Sequence, residues 1–220
     1  MPIEVEEPEA RILPIVILAD VSGSMSVDGK IETLNDAISR MIAALQAIEL
    51  PGTVVNVAVI GFGGEQATLH SSLTDVATLD WSPLAASGRT PMGHAFTLAA
   101  ELLDDESAIP TRSYQPNLVL VSDGIPTDRW EEPLKRLNEA RRAGKARRFA
   151  IGIGSDRKAD VLTRFAGDEG EVVPVERVEL LTDFFRYVTY TVTQSVANMV
   201  TSQAELPTFK DFPTDDFIEF

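Results

Sequence analysis

Cysteine is absent from the 220-residue chain. Disulfides, thiolate metal sites and cysteine nucleophiles are therefore excluded outright. Histidine is nearly as scarce: only His70 and His94 occur, which leaves few parts for serine–histidine chemistry. No uninterrupted apolar run approaches the roughly 18 to 20 residues that a bilayer-spanning helix needs. Positive charge is in deficit, with 19 Lys and Arg against 34 Asp and Glu and a net charge of −15. That balance opposes nucleic acid and anionic membrane surfaces as main partners. The acidic residues 1–10 lack the charged-then-apolar layout of a leader and read as a flexible lead-in. A soluble cytoplasmic protein is the expectation. The 44% of hydrophobic residues suffice for one generous α/β domain followed by a tail.

The apolar segments sort by period. Ile12 to Ala19 and Val54 to Phe62 run without polar alternation, as buried parallel strands do. A shorter, more polar strand around residues 66–72 follows the Gly63-Gly64 turn and reads as an antiparallel edge. Asn117 to Ser122, Arg148 to Ile153 and Val172 to Val175 are three further strands. Between them, helical spacing predicts helices over Ile31–Ile48, Pro91–Leu103, Trp130–Ala143, Ala159–Ala166 and Val178–Met199. Pro91 suits a first helical position, where a missing N–H costs nothing. Strands alternating with helices predict a Rossmann-like, doubly wound, mostly parallel sheet with one antiparallel edge strand and helices on both faces. The expected organisation is a domain over residues 11–203 and an acidic, aromatic tail over 204–220.

Polar residues concentrate at three strand ends. Asp20, Ser22 and Ser24 follow the first strand, Thr90 precedes a helix, and Asp123 follows a later strand. Ligands of open α/β sheets bind at the carboxyl ends of the strands. Oxygen-only donors suit a hard divalent ion rather than zinc. Two carboxylates brought together repel, and a cation resolves the conflict. Mg²⁺ is the expected ion, with Mn²⁺ or Ca²⁺ as alternatives. A position remains for water or for an oxygen of a partner.

Asp20-x-Ser22-x-Ser24, Thr90 and Asp123 together resemble the metal-ion-dependent adhesion site (MIDAS) of von Willebrand factor A domains, over about residues 11–200. The segments Ser87-Gly88-Arg89-Thr90-Pro91-Met92-Gly93, Val121 to Asp128 and Ala150-Ile151-Gly152-Ile153-Gly154 are most similar to bacterial TerY-type A domains of tellurium resistance and stress response. The resemblance implies direct ligation by Ser22, Ser24 and Thr90, with Asp20 and Asp123 acting through bound waters. It further implies a partner protein offering an Asp or Glu carboxylate, no catalysis, and operation beside a Ser/Thr kinase and a PP2C-type phosphatase. Arg89 departs from the pattern and can oppose the metal or hold an acidic ligand. A subunit of an ATPase-driven chelatase or remodelling complex is the alternative. A metal-dependent phosphohydrolase ranks lower, because no base or phosphate clamp can be named.

Plainer readings compete at each remaining feature. Residues 20–24 alone would make an ordinary capping loop. Asp128 is expected to cap the helix beginning near Trp130, and Asp28 and Asp75 to be surface loop residues. His94, one turn into its helix, is a candidate helper beside the ligands of the site. Lys135, Arg136, Arg141, Arg142, Lys145, Arg147 and Arg148 read first as a solvated face and second as a docking patch. The tail spaces four phenylalanines among acids, which suits either a disordered terminus or a docking segment.

Overall fold

The computed structural model describes residues 10–154, 159–168, 170–175, 177–201 and 207–212. Six strands form one sheet: β1 (Arg11–Asp20), β2 (Thr53–Gly63), β3 (Gln66–Asp75), β4 (Asn117–Ser122), β5 (Arg147–Ile153) and β6 (Glu171–Val175). Their order is β3-β2-β1-β4-β5-β6. All neighbours pair in parallel except β2 with the edge strand β3. The expected mostly parallel, doubly wound sheet with one antiparallel edge is what the chain forms.

Five helices cover the sheet: α1 (Lys30–Ala47), α2 (Met92–Asp104), α3 (Glu131–Glu139), α4 (Ala159–Ala166) and α5 (Leu180–Thr201). The pleat of β1 explains the two layers. Leu13, Ile15, Ile17 and Ala19 face a core shared with α1 and α5, whereas Val16 and Leu18 face one shared with α2, α3 and α4. Both faces of β1 are thus covered, which is why its sequence shows no polar alternation. Within the second core, Phe96 of α2 stacks on Phe165 of α4 with centroids 5.7 Å apart. Leu181, Phe184, Phe185, Val188, Val192 and Val196 of α5 are buried as its stripe predicts. The side chain of Met199 lies outside the described residues.

Several boundaries differ from the sequence expectation. Pro91 precedes α2 as its cap residue, with ψ of 63°, instead of opening the helix. α3 stops at Glu139, short of the predicted Ala143. The reason is local: Arg141 and Arg142 donate their backbone N–H groups to the Asp104 carboxylate, at 3.2 and 2.9 Å, and so leave the helical ladder.

Part of the tail is described, and it lies on its own domain. Phe209 sits against Phe184 and Tyr187, and Phe212 against Tyr187 and Tyr190. Glu171 fastens this strap by accepting from the Phe209 N–H at 2.7 Å and from the Tyr187 hydroxyl at 2.5 Å. Burial, with Glu171 alongside, raises the Tyr187 pKa and keeps its hydroxyl a donor. Phe217 and Phe220, like residues 1–9, lie outside the described residues.

Candidate metal centre

The winding reverses at β1, whose two neighbours β2 and β4 lead away in opposite directions. A crevice opens at such a switch point, beyond the carboxyl ends of the strands. Asp20 ends β1 and Asp123 immediately follows β4, so topology alone brings these distant acids to one place.

Hydrogen bonds then fix the details. Asp20 is fully buried; its Oδ1 accepts from the Ser22 N–H at 2.9 Å and its Oδ2 from Ser122 Oγ at 2.6 Å. Ser24 Oγ lies 3.0 Å from Ser22 Oγ and donates to Asp123 Oδ1 at 2.7 Å. Lys30 Nζ pairs with Asp123 Oδ2 at 2.6 Å and reaches the Ser24 carbonyl at 3.4 Å. Thr90 is buried as well, and its backbone is tied to Thr127 twice: the Thr90 N–H donates to Thr127 Oγ1 and the Thr127 N–H to the Thr90 carbonyl, both at 3.0 Å. All five predicted residues, drawn from three loops, are therefore gathered at one end of the sheet.

Their donor set fits a hard cation. A side-chain carbon built on Gly124 would stand 3.5 Å from Thr90 Oγ1, 3.6 Å from Asp20 Oδ2 and 3.8 Å from Ser24 Oγ. These three oxygens thus surround a small space beside Gly124. Among the described residues no group of three or more His, Cys, Asp or Glu is placed to hold a metal, here or elsewhere, so an ion at this place would rest on two acids and on hydroxyls. Burial, with Asp123 as a smaller repulsive neighbour, pushes Asp20 up to about 6 despite the opposing hydrogen bonds from Ser122 and Ser22. A carboxylate so placed lacks a countercharge in the metal-free protein, and a cation would supply one.

The loops themselves are knitted. Ser87 N–H donates to the Val21 carbonyl at 2.7 Å, Gly23 N–H to Gly88 at 3.0 Å, and Gly64 N–H to Ser87 at 2.7 Å. Two glycines make this approach feasible. A side-chain carbon at Gly63 would stand 2.4 Å from the Val21 carbonyl oxygen, and one at Gly88, where φ is +66°, 2.5 Å from the Gly64 Cα. From the other side, Asn35 of α1 pins the same loop system, accepting from Leu84 N–H at 2.8 Å and donating to its carbonyl at 2.9 Å.

Asp128 does not cap α3, as the sequence suggested. Its two oxygens accept from the Gly93 and His94 N–H groups, each at 3.0 Å, and so cap α2, the helix that follows Thr90. Asp128→Ala is expected to cost about 1–2 kcal/mol, seen as a lower thermal midpoint, with Asp128→Asn retaining part of the cap. A thermal midpoint unchanged in Asp128→Ala would remove this assignment. The His94 ring is engaged on the far side of its helix start: its Nδ1 accepts from the Ala67 N–H at 3.0 Å and ties α2 to β3. The basic cluster divides: Lys135, Arg136, Arg141 and Lys145 are exposed, as a solvated face requires, while the rest are wholly or partly buried. Arg148 is buried and donates to Asn138, Phe165 and Ala143, and its burial lowers its pKa to about 10. Arg141 pairs with Glu106, and Arg142 reaches the Ile109 carbonyl. Ser122, Lys30, Thr127 and Asp128 are the neighbours of the site that sequence reasoning missed. Ser122 and Thr127 flank residues already singled out, which was the available signal.

The chain belongs to the von Willebrand factor type A domain family, whose model matches residues 15–186. Among solved structures, proximal thread matrix protein 1 of the mussel byssus, in a form with a zinc-occupied MIDAS motif, superimposes with a TM-score of 0.66 at 16% identity. The match covers 84% of this chain and 48% of that one. A von Willebrand factor type A protein from Catenulispora acidiphila gives 0.63 at 20% identity, over 84% and 43% of the two chains. The pilus adhesin SpaC of Lactobacillus rhamnosus GG gives 0.67 at 14% identity, over 85% and 30%. These likenesses concern the fold, and this chain spans less than half the length of each of the three. No curated protein matches the chain. No helix among the described residues is long and apolar enough to cross a membrane.

Proposed function

We propose that this protein is a metal-dependent protein-interaction module. Asp20, Ser22, Ser24, Thr90 and Asp123 hold one divalent ion, Mg²⁺ by preference with Mn²⁺ or Ca²⁺ able to replace it. When bound, the ion neutralises the two acids and offers a coordination position to an Asp or Glu carboxylate of a partner. The observation that carries this reading is the meeting of Asp20, Ser24 and Thr90 oxygens beside Gly124, with Asp123 bonded to Ser24. The zinc-occupied MIDAS motif of the mussel protein, which shares the fold, supports a divalent ion at this end of the sheet.

A binding role, without catalysis, accords with where the histidines stand. His94 is engaged by Ala67, and His70 Nε2 lies 2.7 Å from the Ser82 carbonyl, contacts that tie both rings to backbone away from Ser22 and Ser24. The setting we assign is cytoplasmic, in a bacterial stress-response or tellurium-resistance system of the TerY type, beside a Ser/Thr kinase and a phosphatase. The full chain, immobilised and exposed to a bacterial lysate, is expected to retain such a partner in Mg²⁺, release it in EDTA and fail to retain it as Asp123→Ala. Capture of a ring ATPase instead favours the chelatase-type assignment. An identical captured set with and without EDTA overturns the metal-dependent reading.

A further inference from the structure

Lys30 has no reason to stand where it does if only helix stability is considered. It is the first residue of α1, behind Gly29 at φ +68°, and no side chain caps that helix start. The amino end of a helix carries partial positive charge and disfavours a cation. What the position gains is Asp123: the Lys30 ammonium holds Asp123 Oδ2 at 2.6 Å, with the Asp123 side chain 1% and that of Lys30 18% exposed. Both oxygens of Asp123 are thereby engaged, one by Ser24 and one by Lys30.

We propose that Lys30 is the residue that sets the ligand preference of the site, lowering its affinity for the metal while raising its affinity for an anion on that metal. This rests on the metal reading given above. With both acids ionised, Asp20, Asp123 and Lys30 together carry a charge of −1, and a divalent ion brings the cluster to +1. Without the lysine the loaded cluster would be neutral and would attract a carboxylate only through the ion's open position. The protein as a whole is at −15 and repels acidic partners at long range. A local positive charge, little screened because it is partly buried, counters that repulsion at short range. The same charge opposes the incoming metal ion, so the two affinities are traded against each other.

The trade-off makes opposite-signed predictions for one substitution. In the full chain, Lys30→Met is expected to raise Mn²⁺ affinity about tenfold, read from free Mn²⁺ by electron paramagnetic resonance. It is expected to weaken acetate binding to the Mn²⁺-loaded protein about tenfold, read from water-proton relaxation. Lys30→Arg, which keeps the charge, should hold both affinities within about threefold of wild type. If Lys30→Met weakens both affinities, the lysine merely positions Asp123, and the proposal is overturned. Unchanged affinities in Lys30→Met overturn it equally. Wild-type protein that binds no Mn²⁺ at all is a different failure, since it removes the metal reading on which this one depends.

Discussion

Asp20→Asn will reduce divalent-ion affinity by about 100-fold or more and leave the metal-free protein at least as stable as wild type at pH 7.5. The two effects have one cause. Asp20 is fully buried, and in EDTA its pKa stands at about 6, above the ordinary 3.8, chiefly through burial. The folded state therefore holds the proton more tightly than the unfolded state does. Stability from this group is greatest below pH 4, declines as pH rises through about 6, and is fully lost above it. The penalty of keeping Asp20 ionised is roughly 3 kcal/mol. Asparagine removes it while its Oδ1 still accepts from the Ser22 N–H. Thermal midpoints in EDTA should therefore rise for wild type between pH 7.5 and 5 relative to Asp20→Asn. Calorimetry with Mn²⁺ supplies the other half. Equal Mn²⁺ affinity in both proteins would remove Asp20 from the site.

The second large effect lies at a residue with no side chain. Gly63→Ala is expected to destabilise the fold by about 3 kcal/mol and to weaken Mn²⁺ binding at least about tenfold. The new methyl group would meet the Val21 carbonyl oxygen at 2.4 Å and the Val21 carbonyl carbon at 2.8 Å. Backbone cannot rotate out of the way as a side chain can, so the Val21–Ser24 loop must move, and Ser22 and Ser24 move with it. Gly61→Ala is the control on the same strand. It meets the flexible Leu84 Cδ2 at 3.4 Å and should cost under about 1 kcal/mol. Matching thermal midpoints for the two alanine variants would show that the approach of β2 to the loop is not tight.

The fold was largely legible because its signals are local. β1 and β2 announce themselves as unbroken apolar runs, and α1 and α5 as stripes of period 3.6. The five oxygens of the candidate centre were legible too, since each stands beside a strand end or helix start that local pattern already marks. The partners of those oxygens were not. Ser122 meets Asp20 across 102 positions, and Lys30 meets Asp123 across 93. Nothing in either neighbourhood distinguishes such a serine or lysine from a solvated one. Asp128 shows the limit of capping rules most directly. Read along the chain, it belongs to the helix that follows; in space it serves α2, whose Gly93 lies 35 positions earlier. The basic cluster divides for a related reason. Sequence gives its charge, whereas Arg148 is held by Asn138, Phe165 and Ala143, groups assembled only by folding.

The length of β1 has a consequence for how the molecule can be held. Arg11 opens β1 at the amino ends of the parallel strands, whereas Glu171, which fastens the strap, stands level with Ile17 by way of Phe149 and Val119. Asp20 lies at the opposite end of β1, about 30 Å away at the rise of an extended strand. The Arg11 end of β1 is therefore the pole far from the acids. A tether, a fused domain or a biosensor surface joined at that pole leaves the coordinating end facing outward, like the head of a pin fixed by its point.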